Sequence, residues 1–239
     1  MGFIALEVDG ARVAFTDRHG GVSIAPYDTA NLGFATGDDP AAVTENRGRV
    51  AHELGEAPDA RGWAWGRQVH GARVADVDSA GGGGDADALV TTGTDISLVV
   101  LAADCAPIAL VAGSAVAAVH CGWRGLLAGV VDAAVRRVRK RGRGPVRAVV
   151  GPCISPEHYE FGADELEQVT RRLGPAVAGR TESGAPALDL RAGVGLALTS
   201  AGVDDRTDVD VCTYASADHF SHRRDGVTGR QALIVTRGA

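Results

Sequence analysis

A carboxylate and a thiol interrupt the most apolar stretch of this chain. Residues 98–103 and 106–111 are apolar on either side of Asp104 and Cys105. A charged group and a thiol are costly inside an otherwise buried strand unless something pairs with them, and a metal ion or a reacting ligand is a common partner. The pattern therefore predicts that chemistry takes place at this break.

Two histidines complete a candidate metal site with Cys105. His70 and His120, like Cys105, lie at or near the ends of predicted strands. If these strands are neighbours in one sheet, their ends meet at one edge, where a thiolate and two imidazoles fill three corners of a tetrahedron. An open fourth corner is typical of catalytic zinc, at which a bound water loses its proton near neutral pH. One thiolate with two imidazoles also suits a single copper, but abundance and geometry favour zinc.

The spacing by itself leaves two other interpretations open. A buried free cysteine beside two surface histidines needs no metal, although it does not explain the adjacent Asp104. Alternatively, Cys105 is a nucleophile and His120 is its base. His70 separates these possibilities, because a thiol–imidazole pair needs no second imidazole, whereas a three-ligand metal site does.

Several cationic and polar side chains are candidates for substrate binding. Arg124 lies where the chain turns from a strand into a helix, a place that suits phosphate or another oxyanion as well as a structural salt bridge. Arg223, Arg224 and Arg230 add three guanidinium groups, of which one or two complete an anion pocket and another is neutralised by Asp225. Glycine-rich turns near the start of the chain carry further candidates, which turn chemistry alone also explains: Arg18, Ser23 and Asn31.

Composition indicates a protein that acts on a small molecule. The chain of 239 residues has a net charge of −6 and so lacks the global charge of a nucleic-acid binder. Residues 1–7 do not predict an export signal, and Asp104 interrupts the longest apolar stretch, which argues against a membrane span. Four scattered cysteines without an export signal predict free thiols in the cytoplasm. We expect one domain, residues 1–239.

Short β-rich segments alternate with a few helices and predict an α/β sandwich with mixed sheets. The glycine run 81–84 is interpreted as a surface loop, and no dinucleotide or P-loop fingerprint is present. Helices are predicted at 40–54, 126–140, 164–173 and 190–201. Strands are predicted at 12–16, 63–69, 73–77, 88–91, 97–103, 107–111, 115–120, 146–150, 209–213 and 231–236.

Ordered motifs along nearly the whole chain resemble the YfiH-type family, also called laccase-domain or multicopper polyphenol oxidoreductase proteins. They include Gln68-Val69-His70-Gly71, Ala86-Asp87-Ala88, Ala103-Asp104-Cys105, His120-Cys121-Gly122-Trp123-Arg124-Gly125 and Gly151-Pro152-Cys153-Ile154. The resemblance implies a four-layer α/β/β/α sandwich and a zinc site of His70, Cys105 and His120. Cys121 and His222 depart from the family pattern.

The resemblance also implies phosphorolysis of adenosine, inosine, guanosine and S-methyl-5′-thioadenosine, together with deamination of adenosine. Laccase chemistry is a poorer expectation, because a multicopper centre uses paired His-X-His ligands and none of the seven histidines forms such a pair.

The sequence thus predicts a cytoplasmic zinc-dependent enzyme acting on purine nucleosides and phosphate, as a monomer or weak homo-oligomer. Arg124 holds phosphate, and Asp104 transfers a proton or orients the site. The remaining alternatives are a single-copper phenol oxidase, a cysteine hydrolase using Cys105 and His120, and a metal-binding protein without catalysis.

Overall fold

The structure, a computed structural model, describes residues 2–56 and 60–238. Its strands are β1 (Phe3–Val8), β2 (Ala11–Thr16), β3 (Trp63–Arg67), β4 (Val74–Asp76), β5 (Gly81–Asp85), β6 (Ala88–Thr91), β7 (Ser97–Ala102), β8 (Ala106–Ala112), β9 (Ala115–Cys121), β10 (Arg147–Val150), β11 (Ala178–Arg180), β12 (Pro186–Leu188), β13 (Arg206–Asp208) and β14 (Gln231–Arg237). Its α-helices are α1 (Pro40–Glu53), α2 (Trp123–Ala128), α3 (Val130–Arg141), α4 (Ala163–Leu173), α5 (Leu190–Ser200) and α6 (His222–Asp225).

Two large mixed sheets form the centre of the molecule. The first has the strand order β1-β2-β14-β7-β3-β5 and the second has the order β13-β10-β8-β9-β6-β4. In the first sheet β3 is parallel to both β7 and β5, whereas β2, β14 and β7 pair antiparallel. In the second sheet β8, β9 and β6 pair antiparallel, and β4 is parallel to β6. The expectation of mixed sheets is confirmed.

The central strands explain why the apolar run around Asp104 is so long. All seven residues of β8 are buried, because both faces of the strand are covered. Ala109 and Val111 pack against the first sheet, where Leu98 and Leu233 meet them. Ile108 and Leu110, on the opposite face, pack against helices. Because successive side chains of a strand point to opposite faces, those of β8 pack alternately into two hydrophobic cores.

Helices cover both outer faces. On the second sheet, Val131 and Val135 of α3 and Val194 of α5 pack on β8 and β9. On the first sheet, Val50 of α1 packs with Trp63. The layers are therefore α/β/β/α, as expected. None of the helices among the described residues is long and apolar enough to cross a membrane.

The segment 209–213 is not the predicted strand. Strand β13 ends at Asp208, and only Cys212 makes an isolated bridge, to Cys153. The physical reason is a tight turn, in which the N–H of Val211 donates to the carbonyl oxygen of Val209 and interrupts the backbone pairing with residues 150–153. The Arg191 guanidinium donates to the carbonyl oxygens of Val209 and Val211 at this turn.

Three other expectations differ from the structure. The glycine run 81–84 is not a loop; it forms most of β5, which pairs with β3. The helix expected at 126–140 is two helices, because Gly129 adopts a left-handed conformation with φ of +85° between α2 and α3. Strand β1 was not expected, and its side chains show no clean alternation of buried and exposed positions.

Packing between the second sheet and its helices contributes measurably to the free energy of unfolding. Replacing Ile108, which is fully buried, by alanine leaves a cavity and is expected to lower the free energy of unfolding by about 2–5 kcal/mol. The same truncation of Ile24, which is 79 % exposed, is the matched control and should change little. Urea denaturation of both variants checks this, and equal losses would contradict the packing described.

Candidate metal centre

His70, Cys105 and His120 converge at one edge of the second sheet. Their ligand atoms all lie within 4.8 Å of one another. The Sγ of Cys105 lies 3.8 Å from Nε2 of His70, and the two imidazole centroids are 4.8 Å apart with planes at 80°. The three residues singled out from the sequence are therefore a cluster in the fold.

Strand pairing brings two of the three residues together. Strands β8 and β9 are antiparallel, with Pro107 opposite His120 and Ala106 opposite Cys121. Cys105, directly before β8, consequently lies beside the end of β9 that carries His120. This register is fixed by the two buried strand faces, because a slip of one residue would exchange their side chains.

A buried carboxylate, Asp87, brings in the third residue. Directly before β6, it accepts hydrogen bonds from the backbone N–H groups of Val69, His70 and Gly71 at 2.8–3.1 Å. It also pairs with Nδ1 of His120 at 2.9 Å. When the ring is neutral and its proton is on Nδ1, Nε2 of His120 is free to act as a ligand.

Asp87 is absent from the site residues predicted from the sequence, where it appears only inside a family motif. The pattern that identifies it is a carboxylate directly before the buried strand β6, which is similar to the position of Asp104 two residues before β8. Burial raises the pKa of Asp87, but the hydrogen bonds from His120 and the backbone N–H groups outweigh burial and lower it overall.

The charges of the cluster favour a thiolate. Burial by itself raises the pKa of Cys105, but the charge and hydrogen bonds of His120 and His70 bring it down to about 6. Burial by itself lowers the pKa of His120, but Cys105 and Asp87 raise it to about 9. Near neutral pH Cys105 is therefore a thiolate, the form that binds metals and attacks electrophiles.

Close packing around the ligands leaves one side open. A Cβ added to Gly122 would lie 2.8 Å from Cδ2 of His70 and 2.9 Å from Sγ of Cys105, so a larger residue would displace the ligands. His120 is only 3 % exposed, whereas His70 is exposed. The cluster is thus closed from the protein side and accessible from solvent beside His70, as a site with an open coordination position requires.

Asp104 anchors the turn that carries Cys105. Its two carboxylate oxygens accept hydrogen bonds from Oγ1 of Thr213 at 2.7 Å and from the backbone N–H of Arg223 at 2.6 Å. Its own carbonyl oxygen accepts from the N–H of Ile154. Asp104 has a left-handed φ of +95°, a strained conformation that these bonds hold in place.

The predicted arginines differ in how far their guanidinium groups are used in contacts within the protein. The guanidinium of Arg124 lies 4.3 Å from the ring centre of Trp123 and is exposed. Arg230 is half-buried and donates to the carbonyl oxygens of Thr228 and Gly229. Burial lowers the pKa of Arg230, while the negative charges of Cys105 and Asp104 act in the opposite direction.

The guanidinium of Arg224 is used in contacts within the protein. It pairs with Asp225 and also donates to four backbone carbonyl oxygens. Arg223, its neighbour in the chain, instead lies over the ring of Tyr159 at 4.8 Å and donates to the carbonyl oxygen of Glu160. The arginine neutralised by Asp225 is thus Arg224.

The three candidates near the start of the chain lie in an internal network rather than in the cluster. Arg18 donates to the carbonyl oxygen and carboxylate of Asp28. Ser23 and Asn31 are buried, and both donate to the carboxylate of Asp38. Asn31 also accepts from the backbone N–H of Arg230, so this network reaches the site through that residue.

The two departures from the family pattern do not enlarge the ligand set. In the part of the chain that the structure describes, the only group of three metal-ligating side chains is the one formed by His70, Cys105 and His120. Cys121 is fully buried, and burial raises the pKa of its thiol far above the usual value. His222 is exposed on α6 and bonds to the carbonyl oxygen of Gly226.

Fold and site together define an α/β/β/α protein with a His-Cys-His cluster at one sheet edge. Residues 12–238 match the profile of the family described as multi-copper polyphenol oxidoreductase laccase. The structure superposes on YlmD from Geobacillus stearothermophilus with a TM-score of 0.87 and 32 % identity, covering 96 % of this chain and 93 % of that one. A Neisseria meningitidis protein gives a TM-score of 0.89 at 32 % identity and full coverage of both chains.

A Streptomyces coelicolor protein named as a purine nucleoside phosphorylase is 48 % identical over 236 residues, which are 95 % of this chain and 96 % of the relative. This chain belongs to the laccase-domain family of YfiH-type proteins, as its motifs predicted.

The role of Asp87 is open to a direct test. We expect Asp87→Asn to weaken Zn²⁺ binding by about 10- to 100-fold, because the amide cannot accept all four hydrogen bonds that orient His70 and His120. Competition with a chromophoric zinc chelator measures this. Asp85→Asn is the control, since Asp85 accepts its hydrogen bonds from the exposed Arg67 at the edge of the other sheet. A folded Asp87→Asn protein with unchanged affinity would contradict the assignment.

Proposed function

We propose that this protein is a zinc-dependent purine nucleoside phosphorylase that also deaminates adenosine. Its substrates in this proposal are adenosine, inosine, guanosine and S-methyl-5′-thioadenosine. The observation that carries the proposal is the preorganised cluster of His70, Cys105 and His120. The relative from Streptomyces coelicolor that is named as a purine nucleoside phosphorylase supports the choice of reaction. The cluster is the chemical centre, and the arginines beside it supply the affinity for phosphate.

The donor set fits zinc. The 3.8 Å between Sγ of Cys105 and Nε2 of His70 is close to the separation of roughly 3.5 Å between two ligands of a tetrahedral zinc. Cys105 is already a thiolate near neutral pH, and His120 is oriented through Nδ1. When bound, zinc supplies a Lewis acid that lowers the pKa of a water molecule.

The chain's own residues perform the binding steps. Arg124 holds phosphate, and Arg230 adds a second positive charge beside Cys105 and Asp104. Asp104 is a positioning residue, because both of its oxygens already accept hydrogen bonds and hold the turn of Cys105. In phosphorolysis, a phosphate oxygen bonds to C1′ of the ribose as the bond to the base breaks.

The remaining predicted binding residues act through the loops that they hold. Asn31 fixes the backbone of Arg230, and Ser23 shares the carboxylate of Asp38 with Asn31. Arg224 fixes the segment 213–219 by its carbonyl bonds, and Arg18 holds its own loop through Asp28. We assign these four residues to the walls of the nucleoside site.

The proposal extends to the setting of the enzyme. The four cysteines are free, which suits a reducing cytoplasm. We treat residues 1–239 as one catalytic domain, working as a monomer or weak homo-oligomer on small substrates.

Two other activities remain worth testing. The thiolate of Cys105 beside His120 is the arrangement of a cysteine hydrolase. The family description names copper. Because no His-X-His pair occurs in the chain, a phenol oxidase would have to work with a single copper ion at this cluster.

Incubation with adenosine separates the reactions. Adenine that forms only when phosphate is present supports phosphorolysis, and inosine or hypoxanthine supports deamination. Chromatography of the products, with metal analysis of the same preparation, measures both. Absence of any nucleoside turnover by the zinc-loaded protein would contradict the proposal, and one equivalent of copper with phenol turnover would favour the oxidase.

A substitution at the thiol distinguishes zinc chemistry from a cysteine nucleophile. We expect Cys105→Ser to lose zinc and nucleoside turnover together, because one of three ligands is removed. His52→Gln on the exposed face of α1 is the control and should retain both. A Cys105→Ser protein that keeps full zinc occupancy yet loses activity would favour the hydrolase.

A further inference from the structure

A row of three aromatic rings with an arginine over each end lies beside the cluster. The ring of Trp123 meets Phe161 edge-on at 5.3 Å, and Phe161 meets Tyr159 at 5.4 Å. The guanidinium of Arg124 lies 4.3 Å from the centre of Trp123, and that of Arg223 lies 4.8 Å from the centre of Tyr159. Stacking on a rigid ring restricts a guanidinium without using its N–H donors.

Both ends of the row are tied to the cluster. Arg124 follows Gly122, whose backbone packs against Cys105 and His70. The backbone N–H of Arg223 donates to Asp104, the residue directly before Cys105. The same short segments that position the ligands therefore also position the two cations.

The positive charges of Arg124 and Arg223 are not neutralised by the protein. Among residues 2–56 and 60–238, neither guanidinium forms an ion pair with a carboxylate, and the only side-chain hydrogen bond of Arg223 goes to the carbonyl oxygen of Glu160. Other arginines nearby are used differently, since Arg224 pairs with Asp225 and Arg18 with Asp28. Both uncompensated charges act on Tyr159, and two uncompensated guanidinium groups around one ring favour an oxyanion bound beside it.

Tyr159 adds a neutral donor. Its ring is packed by Phe161 and Arg223, and its hydroxyl has no hydrogen-bond partner in the described part of the chain. Burial and then the charge of Cys105 raise the pKa of Tyr159, while Arg223 and Arg124 oppose that rise. The hydroxyl therefore keeps its proton and lies within the field of the cluster and of both arginines.

We propose that Arg124, Arg223 and Tyr159 form the phosphate subsite, with Arg223 and Tyr159 as phosphate-binding residues in addition to those of the proposed function, on which this inference rests. An oxygen of HPO₄²⁻ forms the new bond to C1′, and the electron pair of the breaking bond goes to the base. The proton of the phosphate ends on the released base, so that the products are the free base and ribose 1-phosphate. The two arginines hold the remaining phosphate oxygens throughout.

Phosphate binding by the zinc-loaded protein tests the subsite directly. We expect Arg223→Gln to weaken binding of inorganic phosphate by roughly 10- to 100-fold, the effect of losing a charge-assisted contact. Tyr159→Phe retains the ring packing and should weaken binding by a smaller factor. Arg171→Gln is the control, since Arg171 is exposed on α4 and pairs with Glu167. Calorimetry or ³¹P line broadening gives the dissociation constants.

Turnover then separates this inference from the function on which it rests. For phosphorolysis, Arg223→Gln should raise the KM for phosphate and leave the KM for adenosine unchanged, and adenosine deamination, which uses water, should persist. Unchanged phosphate binding and KM in a folded Arg223→Gln protein would overturn the subsite while phosphorolysis by the wild type stands. If Arg223→Gln weakens phosphate binding but the wild-type protein cleaves no nucleoside, the anion subsite is supported and the proposed function is overturned.

Discussion

The carboxylate of Asp87 is the interaction on which the site depends. A charge with no exposed surface is stable only when it is paired and hydrogen-bonded, and Asp87 meets this condition with three backbone N–H groups and the imidazole of His120. These four bonds connect the loop of His70 to the end of β9. Removing the acceptor would release two of the three ligands at once and leave their donors unpaired.

A second buried carboxylate does for Cys105 what Asp87 does for the histidines. Asp104 joins the turn before β8 to Thr213 and to the start of α6. The sheet supplies the frame for both, because β8, β9 and β6 are neighbours with fixed registers. The ligand positions thus follow from strand pairing, and the ligand orientations follow from two aspartates. The arginines beside the cluster are positioned by the same segments.

Much of this arrangement is predictable from the residues. The apolar run broken at Asp104 and the strands that end at the ligands follow from local pattern, as does helix α1, which begins at the predicted residue 40. The convergence of His70 with the other two ligands does not follow from spacing, since it depends on bonds across the fold to Asp87. Likewise, the sequence places Arg223 and Arg224 side by side, and only the tertiary structure decides which one faces Asp225 and which one stacks on Tyr159.

Anomalous diffraction from crystals of the metal-loaded protein tests the central claim most directly, namely that Asp87 and Asp104 preorganise the three ligands of the proposed zinc centre. Data collected above the zinc absorption edge should show one anomalous peak within bonding distance of Nε2 of His70, Sγ of Cys105 and Nε2 of His120, and data collected below the edge should lack it. Nδ1 of His120 should still be hydrogen-bonded to Asp87. A zinc peak that lies elsewhere, or a full peak at the copper edge with none at the zinc edge, would contradict the account.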